Sequence, residues 1–189
     1  MLMKVYQNSF TSVATEPHIS QVRVFATNRN NTQKVNACSS GSSCNCPNVL
    51  VADDDSFQHM YYRIFFERTL NFDGLSVSKE AFKLHLSFSG EELLAKLAQI
   101  KECGCKSLKL IISDYFMGNA NINGVATCLK VREVGFTGPI LLRTSETQEY
   151  LKTQHKNLSE ILEEEVINQV ISKTEVNHGK EVIRNILMN

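Results

Sequence analysis

From residue 48 onward, this sequence repeats one pattern: a short apolar run, then a stretch of helical periodicity. The runs Val49–Asp53, Phe82–Ser89, Leu108–Ser113, Pro139–Arg143 and Val166–Ser172 read as five strands. Ser56–Leu70, Gly90–Ile100, Asn123–Glu133, Ser145–Lys152, Leu158–Glu165 and Val176–Leu187 read as helices. The first helix carries Met60, Tyr61, Ile64 and Phe65 as its apolar face, the second Leu93, Leu94, Leu97 and Ile100, and the last Val182, Ile183, Ile186 and Leu187. Parallel strands need such crossovers, because a tight turn can join only antiparallel neighbours. The alternation therefore specifies a doubly wound α/β domain, a mostly parallel five-stranded sheet with helices on both faces. Continuous apolar runs suit strands covered on both sides. Phe82–Ser89 instead alternates Phe82, Leu84, Leu86 and Phe88 with Lys83, His85, Ser87 and Ser89. It has one dry face and belongs at an edge.

In sheets of this kind ligands bind beyond the carboxyl ends of the strands, where the strand order reverses. The first run ends on Asp53, Asp54 and Asp55, the third on Asp114, the fourth on Thr144 and the fifth on Lys173. Three adjacent like charges at a buried strand end are disfavoured by repulsion and by desolvation. Either they sit in solvent and cap the next helix, or they face a cation. Two or three carboxylates can hold one Mg2+, a hard cation that takes oxygen ligands and keeps several waters. The cation would offset the repulsion. One carboxylate could then act as a nucleophile toward a phosphoryl group. An ammonium and a hydroxyl would hold the phosphoryl oxygens.

The segments VLVADDD, LIISDYFM, GPILLRTSE and the lysine of VISKT, in this order and at these spacings, resemble the receiver domain of two-component response regulators. The resemblance covers about residues 48–188. It implies a flavodoxin-like sheet of order 2-1-3-4-5 and a phosphorelay function with a histidine kinase or a histidine phosphotransfer domain as partner. By the same resemblance Asp114 is the phosphoacceptor. Asp54 ligates Mg2+ directly, Asp53 does so through a water, and the backbone carbonyl of Phe116 completes the protein ligands. Thr144 bonds a phosphoryl oxygen and Lys173 pairs with the phosphoryl group. Asp55 has no metal role in the family and is read as a helix N-cap.

The chain also departs from the family pattern. Gly118 stands where the family has proline, and the loop to Gly124 is about two residues longer and rich in asparagine (Asn119, Asn121, Asn123). The family's Lys-Pro is Lys173-Thr174 here, so that bond is expected to be trans. Val170 replaces the aromatic half of the family's Thr–aromatic switch. Phe116 and Glu146 occupy the two positions that tune dephosphorylation, and a bulky apolar group beside an acyl phosphate would exclude attacking water.

Residues 1–47 have a different composition. They are rich in Ser, Thr and Asn and carry Lys4, Arg23, Arg29 and Lys34 against Glu16. They read as an extension without a core of its own, ahead of a receiver domain at 48–189. The segment 21–26 could add a strand, and the extension could dock the domain into a larger assembly. It lacks the amphipathic arginine pattern of a transit peptide. Residues 1–15 show no apolar core followed by a cleavage site, so an intracellular, cytoplasmic place with reduced thiols is expected. Of six cysteines, Cys44-Asn45-Cys46 and Cys103-Gly104-Cys105 are spaced more tightly than zinc ligands usually are. His18, His59, His85, His155 and His178 show no metal spacing and read as surface residues; Glu163–Glu165 reads as a solvated face. A formal net charge of zero gives nothing in favour of nucleic acid, and no apolar run is long enough to span a bilayer.

Two functions compete. The first is a working receiver, either a single-domain relay protein or a piece of a hybrid-kinase lineage. The second is a receiver fold used as a non-catalytic interaction or structural subunit, favoured by Gly118, the longer loop and Val170. A haloacid-dehalogenase-like phosphatase needs a second acid two residues after its nucleophile, and that position is Phe116.

Overall fold

The computed structural model describes residues 48–69, 83–102, 108–118 and 122–188. Residues 1–47, Leu70, Phe82, Cys103, Cys105, Asn119 and Asn121 lie outside them, and with them the possible strand at 21–26 and both C-x-C pairs.

Five strands, β1 (Asn48–Ala52), β2 (Lys83–Ser87), β3 (Leu108–Asp114), β4 (Ile140–Thr144) and β5 (Gln169–Ser172), form one sheet of order β2-β1-β3-β4-β5. Every pairing is parallel. The helices are α1 (Ser56–Ile64, continued by a π-turn over Phe65–Thr69), α2 (Gly90–Glu102), α3 (Gly124–Glu133), α4 (Gln148–Gln154), α5 (Leu158–Glu163) and α6 (Val176–Met188).

Polar side chains start α1, α2, α3 and α4 by accepting otherwise unpaired first-turn amides. Asp55 accepts from the Phe57 amide at 2.8 Å, Asn123 from Ala126 at 2.9 Å, and Thr147 from Tyr150 at 3.2 Å. At α2, Ser89 accepts from Glu92 N (3.2 Å) while the Glu92 carboxylate takes Phe88 N (2.7 Å), a variant of the reciprocal capping box.

Alternation along the strands sorts the core into two layers. Leu50, Ala52, Ile111, Ile140 and Leu142 pack against α2, α3, α4 and α5 through Leu93, Val125, Cys128, Leu151 and Ile161. Val49, Val51, Leu110, Ile112, Leu141 and Ile171 pack against α1 and α6 through Tyr62, Phe65, Phe66 and Ile183. β2 lies at an edge, as its alternation predicts.

Several readings need correction. The buried face of α1 and its π-turn is His59, Tyr62, Phe65 and Phe66, while Met60 and Ile64 are 54% and 43% exposed. The π-turn widens the helix by a residue per turn, which lets both Phe65 and Phe66 face the sheet. His59 is therefore buried, not a surface residue, and His85 and His155 are half-buried. The polar side of β2 is not a wet face either: Ser87 is fully buried, and Lys96 of α2 reaches over to the Leu86 carbonyl. β5 begins at Gln169, later than the apolar run. The Val166 and Ile167 amides bond back to Ile161 O, and Arg132 takes the Val166 carbonyl, so those residues close α5. Similarly, α4 starts at Gln148, because the Glu146 amide goes to Thr144 Oγ1 and Thr147 supplies the cap.

Gly124 opens α3 where helix and strand nearly touch. A Cβ there would lie 2.1 Å from the Asp114 carbonyl oxygen and 2.7 Å from Leu142 Cδ1. Gly135 is also special, but by conformation: its φ is +83° and a Cβ would meet nothing closer than 3.7 Å. In chemical denaturation, Gly135→Ala should cost about 1–2 kcal/mol, the penalty of a left-handed residue. Gly124→Ala should cost about 3 kcal/mol or more, because backbone must shift.

Candidate functional site

Order in the sheet reverses between β1 and β3, and the carboxyl ends of these two strands meet there. Asp53 follows β1 with 1% exposure; its amide donates to Ser87 O at 3.0 Å, and its Oδ1 accepts from the Asp55 amide at 3.1 Å. Asp114, the last residue of β3, is 4% exposed. Lys173, one residue past β5, places Nζ 2.8 Å from Asp114 Oδ2 and 3.0 Å from Asp53 Oδ2. The Lys173 amide continues the ladder to Thr144 O at 2.7 Å, and its bond to Thr174 is trans as expected. Thr144 is buried, with Oγ1 accepting from Glu146 N at 2.9 Å, which leaves its hydroxyl hydrogen uncommitted by that bond. Asp54 is exposed, and Asp55 caps α1.

One oxygen from each of Asp53, Asp54 and Asp114 falls within a 4.8 Å cluster. Two observations decide whether these residues fit a small hard dication. Asp53 Oδ2 is buried and, although 3.0 Å from Lys173 Nζ, lacks a hydrogen bond of proper geometry. Its charged partner is the ammonium it shares with Asp114, and it faces two other carboxylates. Gly118, at φ +60°, crosses Asp54 so closely that a Cβ would lie 3.1 Å from its Oδ2. Proline is confined to φ near about −65° and could not take this conformation. The donor set is all oxygen, and three carboxylates against one ammonium leave uncompensated negative charge. The residues present fit Mg2+.

Burial pushes the Asp114 carboxyl up to about 6; the Lys173 hydrogen bond pulls against this and the Asp53 charge adds to it. For Lys173, burial works to lower the pKa, but the hydrogen bond and charge of Asp114 outweigh it and the ammonium is held above its ordinary value.

Compared by sequence, the chain matches no family profile and no curated protein. In three dimensions it is similar to the signal receiver domain of an HD domain-containing protein from Pseudomonas fluorescens Pf-5, with a TM-score of 0.54 and 15% identity over 79% of this chain and 93% of that one. It is also similar to the chemotaxis response regulator CheY4 of Vibrio cholerae, with a TM-score of 0.52 and 19% identity over 75% of this chain and 98% of that one. A response regulator receiver domain from Clostridium thermocellum gives a TM-score of 0.50 at 17% identity, over 74% and 93% of the two chains. The fold is that of the response-regulator receiver domains.

Within this receiver fold, Asp53, Asp54, Asp114 and Lys173 come together, and Thr144 stands at the end of the adjoining strand. Phe116, two residues beyond Asp114, turns its ring to solvent at 74% exposure. Two neighbours escaped the sequence reading. His59 directs Nε2 to Ser87 O at 3.1 Å, the same carbonyl that takes the Asp53 amide. Arg143, a charge inside the apolar run before Thr144, is 4% exposed; that run was the available signal.

Asp114 carries a pH prediction. Its folded pKa lies above the ordinary 3.8, so the folded state binds the extra proton, and the destabilising effect of ionisation grows as pH rises from about 4 to about 6. In metal-free protein, Asp114→Asn should raise stability by about 1–3 kcal/mol at pH 7.5. The gain should vanish near pH 4, as measured by urea denaturation in chelator.

Proposed function

We propose that this chain is a phosphoacceptor receiver that takes a phosphoryl group from a phosphohistidine onto Asp114 in a Mg2+-dependent reaction. The observation that carries the reading is the Lys173 ammonium shared between Asp53 and Asp114 beside Asp54, at the strand ends of a receiver fold. Asp114 Oδ attacks phosphorus, the phosphorus–nitrogen bond breaks, and the imidazole of the donor leaves with that electron pair. Lys173 holds a phosphoryl oxygen and keeps Asp114 in place. The Thr144 hydroxyl, whose hydrogen is not used by Glu146 N, donates to another. Asp53, Asp54, Asp114 and the Phe116 carbonyl would hold Mg2+, which when bound neutralises charge on the phosphoryl oxygens.

The donor is a histidine kinase or a histidine phosphotransfer domain. Such donors place the chain inside the cell. Among the described residues no helix is long and apolar enough to cross a membrane. Residues 1–47 act as an extension to the receiver at 48–189.

The test is binding of beryllofluoride, a phosphoryl mimic, followed by fluorine NMR. Wild type should bind it only with Mg2+, and Asp114→Asn should lose at least about a hundredfold in affinity, the scale of removing a charge-assisted partner in a buried site. Wild type that binds neither Mg2+ nor the mimic would leave the chain as an interaction module built on the receiver fold.

A further inference from the structure

Arg143 is a buried guanidinium with no carboxylate at salt-bridge distance among the described residues. An isolated buried charge is costly, and an apolar side chain of similar volume would avoid that cost. The charge is instead held by one helix. Its Nη1 donates to Gln58 Oε1 at 2.8 Å, and its Cζ lies 4.7 Å from the Tyr61 ring centroid and 5.2 Å from that of Tyr62. All three partners belong to α1. Gln58 is the third residue of that helix, in the turn that Asp55 caps.

The other end of Arg143 is fixed by the sheet. Its backbone pairs in register with Asp114, its carbonyl accepts from the Tyr115 amide at 2.9 Å, and the next residue is Thr144. One side chain thus joins the end of β4 to the first two turns of α1. The corner that begins α1 is Asp53-Asp54-Asp55, tied internally by the Asp55 amide on Asp53 Oδ1. Tyr62 lies under the Arg143 guanidinium. Burial pushes its hydroxyl pKa far up, with the Arg143 charge opposing this and the Asp53 charge adding to it, so the hydroxyl lies within the fields of both.

We propose that Arg143 is a positioning residue for the carboxylate site: its guanidinium clamps the Asp53–Asp55 corner and the first turn of α1 to β4, setting the spacing between Asp54 and Thr144. A site that must hold a small ion on one side and a phosphoryl group on the other tolerates about 0.5 Å of misplacement. An exposed Asp54 at the start of a helix cannot supply that precision alone. The assignment rests on the metal-and-phosphoryl reading given under Proposed function.

The experiment compares wild type, Arg143→Met and Gln58→Ala in the full chain. Three quantities are measured: Mg2+ affinity by calorimetry, thermal midpoint in chelator, and amide hydrogen exchange along α1, β1 and β3. For Arg143→Met we expect a midpoint within a few degrees of wild type and a Mg2+ dissociation constant raised five- to tenfold. Exchange of the Phe57, Gln58 and His59 amides should be faster, with β1 and β3 unchanged. Gln58→Ala, which keeps the charge but removes its acceptor, should show the same local exchange and about a threefold weaker Mg2+ affinity. It decides the matter alone where Arg143→Met does not fold. Unmoved Mg2+ affinity with unmoved exchange in α1 overturns the assignment. So does a lowered midpoint with exchange accelerated throughout, since that marks an ordinary stabilising residue. Wild type that binds no Mg2+ defeats the receiver reading, and the exchange comparison then decides the clamp by itself.

Discussion

The carboxyl edge of this sheet depends on one ammonium group. Lys173 follows β5, two places from β3 and three from β1 in the strand order, yet its Nζ reaches both Asp114 and Asp53. Neighbouring strands lie about 4.8 Å apart, so the lysine side chain has to extend across the end of β4 to reach them. The Lys173 amide prolongs the ladder onto Thr144 O, which fixes the point from which its side chain reaches inward. The charge then crosses the gap between the strand ends and ties β1, β3 and β5 together. Without a cation there, two carboxylates with 1% and 4% exposure would face each other in a desolvated corner.

This corner is maintained at the expense of stability. Asp114 is pushed up to about 6 even with the lysine in hydrogen-bond contact, and the buried Asp53 Oδ2 has to share that same ammonium at 3.0 Å. Arg143 adds a buried charge held by an amide oxygen and two aromatic faces. The offset comes from the two apolar layers, where Leu50, Leu93, Leu97 and Ile111 on one side and Val49, Leu110, Ile112 and Leu141 on the other are buried to 1% exposure or less. Parallel strands covered on both faces can carry such a corner because their own backbone groups are paired and their side chains dry.

Much of this was legible in the chain. The alternation of runs predicted the parallel sheet, and Lys83–Ser87 sits at the edge where its polar–apolar alternation put it. Asp53, Asp54, Asp114 and Lys173 were readable as strand-end residues before any contact was known, because a strand's carboxyl end is visible as the point where an apolar run stops. Local chemistry was legible too: Asp55 and Asn123 cap the helices they precede. Less legible was the phase of α1. Met60 and Ile64 are as apolar as Tyr62 and Phe66, and helical spacing alone does not say which of two overlapping apolar stripes meets the sheet. Similarly, Val166 and Ile167 extend the apolar run of β5, but their amides serve α5.

By itself the sequence determined the class of fold, the order of its elements and the chemistry available at the strand ends. Those properties follow from periodicity and from residue type, which are local. Only the tertiary structure decided which carboxylate shares the lysine, that Gly118 must pass against Asp54, that His59 is buried on the Ser87 carbonyl, and that Arg143 turns toward Gln58 and the two tyrosines. Each is a contact between residues more than twenty-five positions apart. Their geometry is set by strand register and by the close approach of α1 to β4 and of α3 to β3. No local pattern along the chain encodes those distances.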